Sequence, residues 1–489
     1  MTAPDLALLA RRIAELKQAK VVCVGDVMLD RFVYGDVTRV SPEAPIPVCR
    51  VKNETAMLGG AGNVVRNLVA LGASVDLISV AGDDEIADDV DLLLRDLSGV
   101  THTLKIENGR PTTSKIRYVA GGQQLLRADR EVTTPIPEDI VDSLCAAAEC
   151  ALAGADALIV SDYGKGVVTD RLVAQLIAIA EAAGKPVIVD PKSRDFRRYA
   201  GATLITPNLK ELGEAAGGEP SSENGIVTAA RALLKVAGIG SMLVTRGAQG
   251  MSLISEDAAD HFPSRAREVF DVSGAGDTVV AILAAGIAAG IPAIEAAQLA
   301  NVAAGIVVGK TGTAVAYADN LHAEFGNMEG NGGPQPPLRV DAALDRIRTW
   351  KDRGEKIGFT NGCFDLLHPG HVSLLAYARS TCDRLVVGLN SDASVKRLKG
   401  ENRPMQNEAA RTAVISSLET VDLVVIFDED TPEELLHKIR PDVLVKGADY
   451  TVETVVGAEF VQSYGGTVVL AEIVPGFSTT ATIARMNTS

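Results

Sequence analysis

Two short stretches of this chain carry residue types suited to phosphate chemistry. The first is Asp271–Thr278, read Asp-Val-Ser-Gly-Ala-Gly-Asp-Thr, placed directly before the apolar run 279–294. Gly274, Ala275 and Gly276 allow a tight turn whose N–H groups can face an anion, and the helix that follows adds its partial positive end. Such a nest suits negative charge developing on a transferring phosphoryl group, and Asp277 beside it could accept a proton from an attacking hydroxyl. A glycine turn with an Asp cap would look the same locally. The second stretch is 356–380. There Thr360-Asn361-Gly362 ends a strand pattern, Phe364 and Asp365 follow, and His368-Pro369-Gly370-His371 opens a helix. Histidines three apart share one helical face and can address one ligand, while Gly370 lets a phosphate approach the backbone. Core or capping histidines are one alternative. A zinc pair is another, although HEXXH spacing is absent and no third ligand is evident.

These residues need a scaffold. From Lys20 onward Val- and Ile-rich segments (20–26, 74–82, 156–163, 185–192, 202–208, 241–247) alternate with helical patterns such as 170–184 and 224–238. That alternation predicts an α/β fold with a parallel sheet covered by helices on both faces. Polar residues gather where the strands end: Asp26 and Asp30, Asp162, Asp190 with Lys192, Asn208 with Glu211. Ligands bind at the carboxyl ends of such strands. A second glycine turn, Gly59-Gly60-Ala61-Gly62-Asn63, opens an early helix, and segments 31–52 and 112–131 alternate as strands without intervening helices. Those two segments predict a small projecting sheet, a lid or a dimer surface. Lys192, Arg110 and Lys115 are candidates on position alone for seating a sugar phosphate.

Gly326–Pro337 is rich in Gly, Pro, Asn and Gln and reads as an interdomain linker. It divides the chain into domains 1–325 and 339–489, with 326–338 as tether. The second domain predicts a helix over 340–353, about five parallel strands, and a basic loop at 394–404 carrying Lys396, Arg397, Lys399 and Arg403. Ser478, Thr479 and Thr480 stand at an expected helix start, where hydroxyls and N–H groups can bind phosphate or merely cap.

A length of 489 residues suggests two or three domains, and 47% hydrophobic with 22% charged residues is a soluble globular balance. The net charge of −16 argues against nucleic acid as the main partner. The longest apolar run is short for a membrane span and contains Gly286, Gly290 and Pro292, and the N-terminus carries charges throughout, unlike a signal peptide. Six scattered cysteines form no C-x-x-C pair, so the simplest setting is a reduced cytoplasm. No GxxxxGK[ST] stretch supports a Walker-type kinase.

Across roughly residues 10–320, the Gly59–Asn63 turn, Asn208-Leu209-Lys210-Glu211 and Gly-Ala-Gly-Asp together resemble the ribokinase-like (PfkB) sugar kinases. The resemblance implies a sugar site at Asp26, the double-glycine turn with Gly60, and Asn63, to which Asp30 and Lys192 are added on position. It implies an ATP site at Asn208 through Glu211 with Gly274, Ala275 and Gly276, Glu211 organising Mg²⁺ and phosphates, and Asp277 as base. The Thr-Asn-Gly-Cys-Phe-Asp and H-x-G-H stretches resemble the nucleotidyltransferase superfamily, with a Rossmann-like domain. Thr360, Asn361, Gly362, Phe364, Asp365, His368, Gly370, His371, Lys399 and Ser478–Thr480 are then expected at the nucleotide. Taken together with 24–48, 158–166, 390–400 and 444–450, the whole chain resembles the bifunctional heptose kinase/adenylyltransferases of lipopolysaccharide-core precursor synthesis. The family pattern often has Ala where Gly62 stands. What this implies is ATP-dependent phosphorylation of D-glycero-β-D-manno-heptose 7-phosphate at O1, and adenylyl transfer from ATP to heptose 1-phosphate, in a cytoplasmic enzyme. The projecting strands add an expected homodimer through the kinase half. A fused kinase and nucleotidyltransferase for another sugar or polyol phosphate, with CTP as donor, is the alternative.

Overall fold

The computed structural model describes residues 6–121, 123–265, 269, 271–310, 313–328, 340–352, 354–447, 451 and 454–471. The chain forms two compact units, Met1–Leu321 and His322–Ser489. Of the expected tether, 326–328 continue the helix Ala318–Met328, and the remainder lies outside the described residues.

In the first unit nine strands form one sheet, ordered Ala259–Phe262, Met251–Ser255, Ser241–Thr245, Leu204–Ile205, Val187–Asp190, Ala157–Ser161, Lys20–Gly25, Ser74–Ala81, Val100–Ile106. All neighbours are parallel except at one edge, where Met251–Ser255 runs antiparallel to both Ser241–Thr245 and Ala259–Phe262. That hairpin and the edge strand Val100–Ile106 were not evident in the sequence pattern. Val100–Ile106 is half-exposed along its length and so lacks the continuous apolar signal of a central strand. From Lys20–Gly25 the chain winds first toward Ser74–Ala81 and then back to Ala157–Ser161. The strand order therefore reverses between those two neighbours, and a crevice opens at their carboxyl ends. Asp26 leaves the first strand there, its N–H on the carbonyl of Ser161, and Asp162 leaves the second.

The helix Ala275–Ala288 is apolar on all sides and buried from Asp277 to Gly286. An all-round apolar helix belongs inside a domain. It packs against Ala293–Val307 closely enough that a Cβ on Gly286 would lie 2.7 Å from that of Ala296. This burial fixes the helix, and so the carboxylate on its first turn. The small sheet is real: Pro47–Gly60, Val27–Val40, Ser114–Ala120 and Gln123–Arg130 lie side by side in that order. Because Val27–Val40 starts two residues after Lys20–Gly25 ends, the lid's root carries Asp26 and Asp30 over the crevice.

The second unit is a five-stranded parallel sheet ordered Leu423–Phe427, Arg384–Asn390, Ile357–Gly362, Val443–Gly447, Thr467–Ala471. Its order reverses between Ile357–Gly362 and Val443–Gly447, the same switch-point geometry in a smaller domain. Of the stretch 394–404 expected to be a basic loop, 394–399 belong instead to a helix, Asp392–Lys399, capped by the Ser391 hydroxyl accepting from the Ser394 N–H, while 400–404 form a loop. The cap and the absence of Gly or Pro before Gly400 outweigh the crowding of its charges. Ser478, Thr479 and Thr480 lie outside the described residues.

Candidate active sites

In the first unit the switch-point crevice gathers Asp26, Asn63, Tyr163 and Asp277. Asp26 is buried, and its carboxylate accepts from the N–H groups of Tyr163 at 2.8 Å, Lys165 at 3.1 Å and Val167 at 3.1 Å. Burial raises its pKa above the usual carboxylate range, and the N–H donors from Lys165, Tyr163 and Val167 oppose that rise. Asp30, four residues on, pairs with Arg117 of the lid at 2.5 Å. The double glycine has a steric cause. A Cβ on Gly59 would meet Asp30 Oδ2 at 2.3 Å, and Gly60, at φ +56°, would place one 2.5 Å from the carbonyl of Asp26.

Gly274 caps the helix Ala275–Ala288 in the left-handed region at φ +79°, and a Cβ there would crowd Asn63 Nδ2 at 2.7 Å. Ala275 spends its N–H on the carbonyl of Val272, so the open donors of the first turn are those of Gly276 and Asp277. Gly276 has nothing within 4 Å on its Cβ side, which leaves room for an anion. The Asp277 carboxylate is buried, with Oδ2 accepting from Asn63 Nδ2 at 2.7 Å and Oδ1 from the Tyr163 phenol. Burial pushes its pKa up to about 6, against the opposing pull of those two donors. A carboxylate that titrates near 6 is a competent base at neutral pH.

Asn208 and Glu211 form a capping box at the start of the helix Leu209–Ala216, and Glu211 also holds Lys192 at 3.0 Å. Leu209 packs against the core, and Lys210 points to solvent beside Glu214. Lys192 therefore stands with the acidic end of the crevice rather than on Asp26. Asp190, at the end of its strand, accepts from Thr206 at 3.1 Å. Its pKa is driven well above the ordinary value by burial and then by the charges of Asp277 and Glu211. Arg110 is committed to Glu107 and to the carbonyls of Thr134 and Lys165, which makes it a structural residue. Lys115 lies 6.0 Å over the Tyr163 ring, its pKa lowered by burial. Residue patterns alone did not single out Tyr163. The only signal was its place after a strand end, next to Asp162.

In the second unit His368 caps the helix Pro369–Ser380, with Pro369 in the first turn. The His368 and His371 rings stack 3.8 Å apart, and Phe364 lies 5.1 Å from His371. Burial lowers the pKa of His371 to about 4, helped by His368 and by Lys399, and burial lowers that of His368 as well. Thr360 Oγ1, Asn361 Oδ1 and both histidine Nδ1 atoms are buried without a hydrogen-bond partner among the described residues. Four unpaired polar atoms at one strand end and helix start suit a polar ligand or ordered water. Lys446 reaches the carbonyl of Asn361 at 3.1 Å.

Asp365 is occupied otherwise. Its oxygens accept from Arg403 Nε at 2.5 Å, Met405 N at 2.6 Å and Gln406 N at 3.3 Å, so it anchors the 403–406 loop. Arg411, fully buried, donates to the carbonyls of Cys363, Asn390 and Gln406 and to Asp392, tying both strand ends together. A lone Arg in a helical pattern gave no sequence signal for that role.

Residues 18–320 match the pfkB family carbohydrate kinase model, and 359–487 match the cytidylyltransferase-like model. Over 484 residues the chain is 57% identical to the bifunctional protein HldE of Paramagnetospirillum magneticum, covering 99% of each. The chain belongs to the HldE family. The HldE proteins of Acidiphilium cryptum and Rhodospirillum rubrum are 54% and 53% identical, each over 97% or more of both chains. Among solved structures, phosphofructokinase-2 from Escherichia coli aligns with a TM-score of 0.54 at 20% identity, covering 64% of this chain and 99% of its own. Arabidopsis thaliana ribokinase complexed with ribose and ATP aligns at 0.51 and 20%, covering 62% and 97%. These two likenesses establish the kinase fold of the first unit.

Proposed function

We propose that the chain is a bifunctional kinase and adenylyltransferase of ADP-heptose synthesis, as membership of the HldE family supports. The observation that carries the kinase half is the buried Asp277 carboxylate on the first turn of an open helix N-terminus. As the anomeric oxygen of D-glycero-β-D-manno-heptose 7-phosphate bonds to the γ-phosphorus of ATP, its proton passes to Asp277 and ADP leaves. The N–H groups of Gly276 and Asp277 meet the developing negative charge. Asp26, Asp30 and Asn63 line the sugar side, and Asn208 and Glu211 the nucleotide side.

Among the described residues no three His, Cys, Asp or Glu side chains form a ready metal cage. Asp190, raised first by burial, also feels the charges of Asp277, Glu211 and Asp162, an acidic grouping that suits a cation. Mg²⁺ fits as an ion that arrives with the ATP phosphates, with Glu211 on its side of the site. It would supply charge neutralisation for the β- and γ-phosphates.

In the second unit a phosphate oxygen of heptose 1-phosphate attacks the α-phosphorus of ATP and pyrophosphate leaves. His368, His371 and the helix N-terminus hold the phosphates, with Lys399 near enough to act on His371. The first product carries one phosphate more than the second substrate, so the two reactions are not consecutive.

The lid supports a homodimer through the kinase unit. Its strands and the turn between them expose Val40, Ile46, Val51, Leu125 and Leu126. No helix among the described residues is long and apolar enough to cross a membrane, and a cytoplasmic setting suits the reduced cysteines expected from their spacing.

The test is a product assay with Mg²⁺, ATP or CTP, and a panel of sugar phosphates. Heptose 1,7-bisphosphate and ADP-heptose are the expected products. Turnover of a different sugar phosphate with no reaction of the heptose sinks the substrate assignment, and CTP preference sinks the adenylyl assignment.

A further inference from the structure

We infer that Tyr163 is a positioning residue for phosphoryl transfer, one residue that couples the sugar-holding carboxylate Asp26 to the base Asp277. The inference rests on the kinase reading above and on geometry. The Tyr163 main-chain N–H donates to Asp26 at 2.8 Å while its phenol donates to Asp277 Oδ1. The following N–H groups of Lys165 and Val167 also bind Asp26, so the strap 163–167 is folded around that carboxylate. Asn63 takes the other oxygen of Asp277 from the helix opened by the double glycine. Two donors thus fix the plane of the base, and each oxygen keeps a lone pair for an incoming hydroxyl proton.

Around Asp277 stand Asn63, Tyr163, Asp30 and Lys115 from the lid, Cys23 of the first strand and Asp190 at the end of a neighbouring strand. Burial, and then Asp30, favours the protonated form; Tyr163, Asn63 and Lys115 favour the carboxylate. The Tyr163 phenol is buried and held far from ionising, so it acts as a donor and not as a second base. Deleting its hydroxyl withdraws one stabiliser of the carboxylate. The base then protonates at higher pH, while the main-chain contacts to Asp26 remain.

The experiment is the pH profile of kinase kcat/KM for full-length Tyr163→Phe, with MgATP and heptose 7-phosphate. The acid limb should move up by about one pH unit, a loss of about tenfold at pH values below it. The KM for the sugar should change less than about twofold. Incorporating 3-fluorotyrosine, a stronger phenol donor, should bring the limb back to the wild-type position or below it. It also serves where the Phe variant folds poorly. A limb that stays in place with kcat reduced equally at every pH overturns the inference, as does a tenfold rise in sugar KM without a shift. If the wild type instead turns over another sugar phosphate, the substrate reading fails separately, and the same shift is read with that sugar.

Discussion

Replacing the proposed base tests the kinase assignment most directly, because Asp277→Asn should remove activity without removing the fold. Three quantities decide this. At pH 8 the wild-type carboxylate is charged. A folded-state pKa of about 6 against an ordinary 3.8 means that holding the charge in this site costs about 3 kcal/mol. The sign follows from the raised value: the favourable contribution of Asp277 is fully present below 3.8 and is lost as pH rises through about 6. An amide removes the charge and with it that penalty. It also presents one acceptor where Asn63 and Tyr163 both donate, so one buried donor loses its partner at about 1–3 kcal/mol. The two changes nearly cancel, and the urea midpoint of the first unit should stay close to wild type. The kinase rate, deprived of its general base, should fall by about 10²–10⁴. The kinase rate is read as ADP release with heptose 7-phosphate, and pyrophosphate release in the same sample reports the second unit. Retention of more than about a tenth of the kinase kcat would refute the assignment of the base. Parallel loss of pyrophosphate release in folded protein would refute the separation of the sites.

The reciprocal change, His368→Ala, should cut pyrophosphate release by about 10²–10³ and leave ADP release intact. His371, with a pKa near 4, is neutral in the free enzyme across the physiological range. The His371 ring should therefore stay neutral between pH 5.5 and 8 when followed by NMR titration, and a His371 inflection near 6.5 would contradict the burial that lowers it. Arg403→Met leaves the buried Asp365 carboxylate with only its two N–H donors. It should destabilise the second unit by about 3 kcal/mol, read by chemical denaturation.

Much of this was legible in the residues. The parallel-sheet alternation showed because buried strands are continuous Val and Ile runs. The lid showed as alternation without helices. The glycines of 59–63 and 274–276 were legible as turns, and the structure supplies their cause in the close approach of Asp30, the Asp26 carbonyl and Asn63. Two of the misread segments share one reason. A charge-rich helix such as Asp392–Lys399 and a half-exposed edge strand such as Val100–Ile106 have weak hydrophobic periodicity, so their identity depends on caps and neighbours.

Local chemistry, then, was determined by the sequence itself: an Asp on the first turn after a glycine nest, and two histidines three apart at a helix start. Short motifs encode such features because backbone turns and helical faces depend on residues a few positions apart. What only the tertiary structure decided is how those groups are tuned. Tyr163 reaches Asp277 across 114 positions and Asn63 reaches it across 214. Asp365 is taken by Arg403, and Arg411 closes over two strand ends, through contacts no local pattern records. The pKa of Asp277 depends on burial and donors that come together only when the sheet and its lid have folded around it.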